Sequence, residues 1–217
     1  MHIVWHGQSC FQITAARGKA EHVSVVIDPF DEATGLRVPS LSADALLITH
    51  DHHDHNNKKA VKGDPLVIEN PGEYEIKDVY IQGVASWHDE KEGKERGPNT
   101  IYIIEAEDMR LCHLGDFGQK ELEASQLDKI GNVDILMVPV GGVYTINSKG
   151  AAKVIAQLEP RIVIPMHYHI PKLKVKLEGV DKFLKEMGKK STEAQNKLLI
   201  KRKDLPSEET KIIVLKP

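Results

Sequence analysis

The stretch ITHDHHDHNN, residues 48–57, packs four histidines and two aspartates into positions 50 to 55. It follows the apolar run DALLI, which reads as a buried strand, so the cluster falls where a strand leaves the core. Ionisable groups brought to the edge of a core are costly unless they are paired or bind a metal. A solvated loop gives no reason to concentrate imidazoles, whereas a metal site does.

In extended chain, residues two apart point the same way. His50 and His52 can therefore grip one ion. Asp54 shares their parity, and His55 follows as the chain turns into a helix expected through NNKKAV. Asp54 and His55 are then left for a second ion, about 3.5–4 Å from the first as in two-metal sites. Asp51 and His53 should point away. A structural zinc site is the competing reading, but such sites are usually closed by cysteine. Cys10 and Cys112 are the only two cysteines and lie far apart in strand-like surroundings, so they read as buried reduced thiols.

Other donors stand at further strand ends: His88 in VASWHDE, Asp116 in RLCHLGDFG and His167 in IVIPMHYHI. Strand ends are the usual place for a site in a layered α/β protein. His113 competes with His88 as a ligand or supports Asp116 from behind. His169 shares parity with His167. Asp28, before Pro29, can orient a ligand histidine. His6, Gln8, Tyr144 and Thr145 are candidates for the site mouth. The charged segment after His88 reads either as a solvated loop or as a mobile flap carrying Lys91, Lys94 or Arg96.

Around these positions, HIVWH, CFQITAA, HVSVVID, DALLITH, DVYIQGV, TIYIIEAE and MRLCHLGD read as strands. QKELEASQLDKI reads as a helix over residues 119–130, followed by the buried strand VDILMVPV. NSKGAAKVIAQLEP is a helix capped by Asn147 or Ser148, RIVIPMH a further buried strand, and GVDKFLKEMGKK a last helix. ADALLITH and NVDILMVPV echo one another, each an Asp followed by a buried strand, as in a duplicated sandwich. Strands first and helix–strand alternation later suggest two sheets with helices outside.

With 217 residues, 41% of them hydrophobic, the chain suits one domain over residues 1–217. It has no apolar run long enough to span a membrane, and its start lacks the pattern of a secretory signal, so a cytoplasmic protein is expected. The net charge of −3 divides into −10 over residues 1–149 and +7 over residues 150–217. The basic part could attract a phosphate-bearing substrate or nucleic acid. Solvated Lys/Glu helix faces are the plainer reading, and no aromatics are interleaved to stack bases.

The pattern His50-x-His52-x-Asp54-His55, followed by His88, Asp116 and His167, resembles the ligand set of the metallo-β-lactamase fold hydrolases. MHIVWHGQSCFQI resembles that family's first hairpin, VIDPF the short strand and Asp-Pro after it, and PMHY its final ligand segment. The resemblance is nearest to the compact lactonase-like branch, which includes ascorbate-6-phosphate lactonase and is related to N-acyl-phosphatidylethanolamine phospholipase D.

It implies an α/β fold, an αββα four-layer sandwich with the site at the edge of two sheets. It also implies two divalent metal ions, with Zn²⁺ first and Mn²⁺ or Fe²⁺ as alternatives. His50, His52 and His88 would hold one ion, Asp54, His55 and His167 the other, and Asp116 would bridge. True β-lactamases of the main class carry cysteine in place of Asp116, and diiron flavoproteins carry glutamate in place of His52. Both activities are thus disfavoured, and the long inserted domain and tRNA-clamping arm of RNA-processing members are missing.

What remains is a dinuclear hydrolase using a metal-bridging hydroxide on an ester-like bond, lactone or phosphodiester, of a small molecule. Asp54 would shuttle the proton as the catalytic residue. A nuclease or phosphodiesterase acting on nucleic acid, and a non-catalytic metal-binding partner or sensor protein, are the alternatives. A homo-oligomer is compatible with all three, and no membrane partner is expected.

Overall fold

Apolar runs separated by Gly, Pro and Asp pair into two large sheets in the computed structural model, which describes residues 1–18 and 20–217. The first half supplies β1 (His2–Gly7), β2 (Cys10–Arg17), β3 (Glu21–Ile27), β4 (Leu41–Ser42), β5 (Ala45–Leu47), β6 (Val61–Lys62) and β7 (Leu66–Ile68). Next come β8 (Gly72–Ile76), β9 (Val79–Trp87), β10 (Pro98–Ala106) and β11 (Met109–His113). The remainder alternates: α1 (Ala124–Ile130), β12 (Ile135–Pro139), α2 (Ser148–Leu158), β13 (Ile162–Met166), α3 (Val180–Glu186), β14 (Leu198–Leu199) and β15 (Lys211–Ile212).

A six-stranded sheet runs β14-β1-β2-β3-β5-β7, and a seven-stranded sheet runs β15-β13-β12-β11-β10-β9-β8. Each is antiparallel through its hairpins and parallel where connections cross over, in β3-β5-β7 and in β11-β12-β13-β15. This is the expected mixed α/β arrangement of two sheets.

Strand alternation divides the core. Phe11, Ile13, Val25, Ile27 and Leu47 join the main core shared with the seven-stranded sheet, whereas Cys10, Val26 and Leu46 face the opposite way with Phe30, Leu41 and Val61. On that outer side the cover is made by the β4–β6 pair and short 3-10 turns at Glu32–Thr34 and Lys58–Ala60. The helix expected through NNKKAV is reduced to the single 3-10 turn Lys58–Ala60. Asn57, just before it, donates its backbone N–H to the Pro29 carbonyl and its side-chain amide to that of Phe30, tying the loop to the preceding turn.

β12 and β13 are buried at every residue, as continuous apolar runs predict for parallel strands covered on both faces. The helical cover on this side includes α2, which buries Ala151, Val154, Ile155 and Leu158 and is capped by the Asn147 side chain. The first predicted helix is shorter than expected, beginning at Ala124. No helix among the described residues is long and apolar enough to cross a membrane.

The echo between the two buried strands has a structural counterpart. Asp44, before β5, accepts the Ser24 N–H on its carboxylate and gives its own N–H to the Ser24 carbonyl. Asp134, before β12, does the same with Arg110. Each aspartate carbonyl then accepts from the first residue of the next parallel strand, Leu66 or Ile162.

One phenol locks the sheets together beneath the histidine cluster. Tyr102 of β10 is fully buried, and its hydroxyl lies 3.0 Å from the Ile48 carbonyl and 3.1 Å from that of Ile68, at the ends of β5 and β7. Tyr102→Phe should therefore cost about 1–3 kcal/mol of unfolding free energy, the penalty for a buried polar group left unpaired. Chemical denaturation measures it, and a change within error would show that water or local relaxation replaces the bond.

Candidate metal centre

Every clustered donor leaves the C-terminal end of a strand. His50 to His55 follow β5, His88 follows β9, Asp116 follows β11 and His167 follows β13. Extended parity holds only as far as His52, whose carbonyl accepts the N–H groups of both His55 and Asn56 and so closes a turn. That turn brings Asp54 and His55 back over the sheet edge while Asp51 and His53 stay exposed.

Two sets of donors result. One ligand atom each from His50, His52 and His88 lie within 4.8 Å of one another, and the same is true of Asp54, His55 and His167. Asp116 faces both: its Oδ2 is 3.4 Å from Nε2 of His88, 3.4 Å from Nε2 of His55 and 3.3 Å from Nε2 of His167. These separations exceed the roughly 2.7–2.9 Å of a charge-assisted hydrogen bond. They suit ligands sharing an ion, since two atoms each about 2.1 Å from a tetrahedral metal stand about 3.4 Å apart. His50 Nε2 and His55 Nε2 are buried without a hydrogen-bond partner. Buried polar atoms seldom stay unpaired, so the donor set fits a divalent cation.

A third grouping, Asp28 with His50 and His55, has a different role. Asp28 Oδ1 accepts the Thr49 N–H, and Oδ2 lies 2.6 Å from Thr49 Oγ1 and 2.9 Å from His55 Nδ1. Its oxygens are committed, and they aim His55 Nε2 toward Asp54 and Asp116. Thr49 Oγ1 also lies 2.9 Å from His50 Nδ1, leaving Nε2 of that ring free.

The β1–β2 turn supplies two more supports. Gln8 Nε2 donates to Asp54 Oδ2 at 3.1 Å, and Ser9 Oγ donates to Asp116 Oδ1 at 3.3 Å. The Asp116 N–H is in turn held by Asn99 Oδ1 at 3.0 Å. Asn99 and Ser9 carry no signal in a single sequence, because each acts through long-range contacts. Asp28, Gln8 and His167 all sit at positive φ, 47°, 50° and 49°, a conformation uncommon outside glycine and concentrated at functional sites.

The charges are mutually dependent. Burial opposes ionisation of Asp116, but His167 and His55 hold its carboxyl well below the usual range. Asp54 is also held low, with His55 outweighing its burial. Burial disfavours a charged His55, yet Asp116 and Asp54 prevail and raise its pKa well above normal. Burial followed by the neighbouring His55 lowers His50 well below its ordinary value, leaving a neutral imidazole. Clustered carboxylates thus call for positive charge at the centre, and a divalent cation would supply it.

Other sequence candidates separate cleanly. His113 is buried with both nitrogens engaged, Nε2 at the Ser9 carbonyl and Nδ1 at the Gly115 N–H, so it supports the β1–β2 turn while His88 joins His50 and His52. His169 is exposed, because the positive φ at His167 breaks the extended run and with it the parity. The segment after His88 is a tied turn, not a free flap: the Asp89 carboxylate accepts the N–H groups of Lys91, Gly93, Glu95 and Arg96. A cavity of about 860 Å³ lies at the opposite end of the strands beside Arg110, Asp134 and Arg161, away from these histidines.

Residues 2–167 match the family described as beta-lactamase superfamily domain. A UPF0173 metal-dependent hydrolase of Thermococcus onnurineus is 32% identical over 191 residues, covering 75% of this chain and 82% of that protein. The crystal structure of a Thermotoga maritima protein, assigned as a Zn-dependent hydrolase of the metallo-β-lactamase superfamily, superposes with a TM-score of 0.77. The two share 34% identity over 99% of this chain and 97% of the other. An isothiocyanate hydrolase from Delia radicum gut bacteria gives a TM-score of 0.66 over 93% of this chain and 99% of its own; at 14% identity the likeness is one of fold alone.

Proposed function

Because the chain belongs to the β-lactamase superfamily, we propose that it is a metal-dependent hydrolase with a dinuclear site. His50, His52 and His88 would hold one divalent ion and Asp54, His55 and His167 the other, with Asp116 facing both sets. The observation that carries this reading is Asp116 Oδ2, within 3.4 Å of imidazole nitrogens from both sets. Nitrogen and oxygen donors suit Zn²⁺ first, with Mn²⁺ or Fe²⁺ as alternatives.

Divalent ions bound there would supply water ionised near neutral pH and a Lewis acid to polarise the carbonyl or phosphoryl oxygen on the atom under attack. The chain's own residues do the rest. Gln8 donates to Asp54 Oδ2, the oxygen 3.6 Å from His55 Nε2, and so holds over the cluster the carboxylate that would take a proton from water and return it to the leaving group. Asp28 fixes the tautomer of His55, and Ser9 and Asn99 fix the carboxylate and backbone of Asp116.

The substrate class is a small molecule with an ester-like bond, lactone or phosphodiester, as in the compact lactonase-like branch that the sequence resembles. Buried, reduced Cys10 and Cys112, the latter with its thiol pushed up to about 12 by burial, support a cytoplasmic setting.

Turnover of a panel of lactones, thioesters and chromogenic phosphodiesters by protein reconstituted with Zn²⁺ or Mn²⁺ tests the proposal. No turnover with full metal loading would favour a binding or sensor role. Within the site, His88→Ala should sharply lower occupancy of one ion. His113→Ala should weaken metal affinity by no more than about 10–100-fold, as changes behind a ligand do. Metal titrations of the two variants decide between them, and the reverse order would exchange their roles.

A further inference from the structure

A cavity of about 610 Å³ opens beside the histidine cluster and shares His88 with it. Its walls are the tied turn after β9 and the β12–α2 connection with the first turns of α2. The volume falls in the range of about 300–1,000 Å³ typical of small-ligand sites.

The charges around it are unequally committed. Asp89 is occupied by four backbone N–H groups, Lys91 pairs with Glu95 and Lys120 pairs with Glu90. Arg96, Lys149 and Lys153 also line the cavity, and none has a carboxylate within ion-pair distance among the described residues. Three cations are therefore free to meet a ligand, two of them one helical turn apart on α2. Arg96 is held in place by Tyr144, its guanidinium carbon 4.8 Å from the ring centroid.

The rim carries a second sign of function. Val143 is 62% exposed with φ at 62°, a left-handed conformation that a β-branched residue adopts only under constraint. Tyr144 beside it is 38% exposed. Solvation alone gives no reason for an exposed valine and tyrosine on a strained loop facing three free cations. A ligand with an apolar body and an anionic end would cover both.

Resting on the hydrolase reading for the chemistry at His88, we propose that this cavity binds a compact oxyanion carried by the substrate away from its scissile bond. Lys149, Lys153 and Arg96 neutralise the phosphate-like or carboxylate group, and Tyr144 with Val143 covers the adjoining apolar part.

Isothermal titration of phenylphosphonate and of benzoate into the zinc-incubated full chain tests this. K149A/K153A should weaken binding of at least one probe by about tenfold or more, and K149R/K153R should restore it. Loss with both probes defines a general oxyanion pocket, and loss with phenylphosphonate alone defines a phosphate pocket. Both lysines are exposed on α2, where alanine favours the helix, so the variant should fold. A change of less than about threefold for both probes would overturn the proposal. The readout is binding, so failure to hydrolyse any ester would count against the hydrolase reading alone.

Discussion

Asp116→Asn is expected to fold and to lose at least about 100-fold in kcat on any hydrolysed substrate, or about 2.7 kcal/mol of barrier. The carboxylate is 3% exposed and lies at 3.3–3.4 Å from three imidazole nitrogens, while Ser9 occupies its other oxygen. Asparagine keeps the shape and the hydrogen bonds of the backbone, but it removes the negative charge that would offset repulsion between two bound cations. It also offers one carbonyl oxygen where the carboxylate offered two. Steady-state kinetics at saturating metal separates this from simple loss of an ion. Activity close to wild type with both ions held would make Asp116 an ordinary strand-end aspartate.

The second large effect comes from a residue with no side chain. A Cβ on Gly118 would overlap the carbonyl group of His88 and stand 2.6 Å from the Asp89 nitrogen. These are backbone atoms that cannot rotate away, and the Gly118 N–H is already bonded to the Trp87 carbonyl at 2.9 Å. Gly118→Ala must therefore displace His88 or its own segment by several tenths of an ångström or more. Misplacement of about 1 Å at a reacting geometry can cost about 100-fold, and a loss of that order in kcat/KM is expected. Metal analysis of the same variant should show the His50–His52–His88 ion weakened first. Unchanged kinetics would mean that the two chain segments separate without disturbing the imidazole.

The sequence disclosed those parts of the molecule whose physics is local. β5, β12 and β13 were visible as continuous apolar runs, α2 as a capped amphipathic helix, and the cluster of residues 50–55 as a crowd of donors. Very short strands and one polar edge strand were not visible. β8 reads Gly-Glu-Tyr-Glu-Ile, and its edge position makes it look like a polar loop. β4, β6, β14 and β15 are two residues each and exist only because a neighbour pairs with them.

Extended parity is consistent with the grouping of His50 and His52, whose ring nitrogens lie within 4.8 Å of each other, but it does not extend to His169, where left-handed His167 intervenes. The His88 and His113 alternatives could not be separated along the chain. Only the approach of the β1–β2 turn, with the Ser9 carbonyl at His113 Nε2, reveals that His113 is already engaged. The same holds for Asp28: an Asp-Pro turn explains its presence, but the bond to His55 across 27 residues gives its use.

A dinuclear site requires that the chain hold two ions. Elemental analysis of protein reconstituted with Zn²⁺ or Mn²⁺ and freed of loose metal should give about two ions per chain, falling toward about one in His55→Ala and in His88→Ala. No more than trace metal in the reconstituted wild-type protein would contradict the dinuclear site and every step that depends on it.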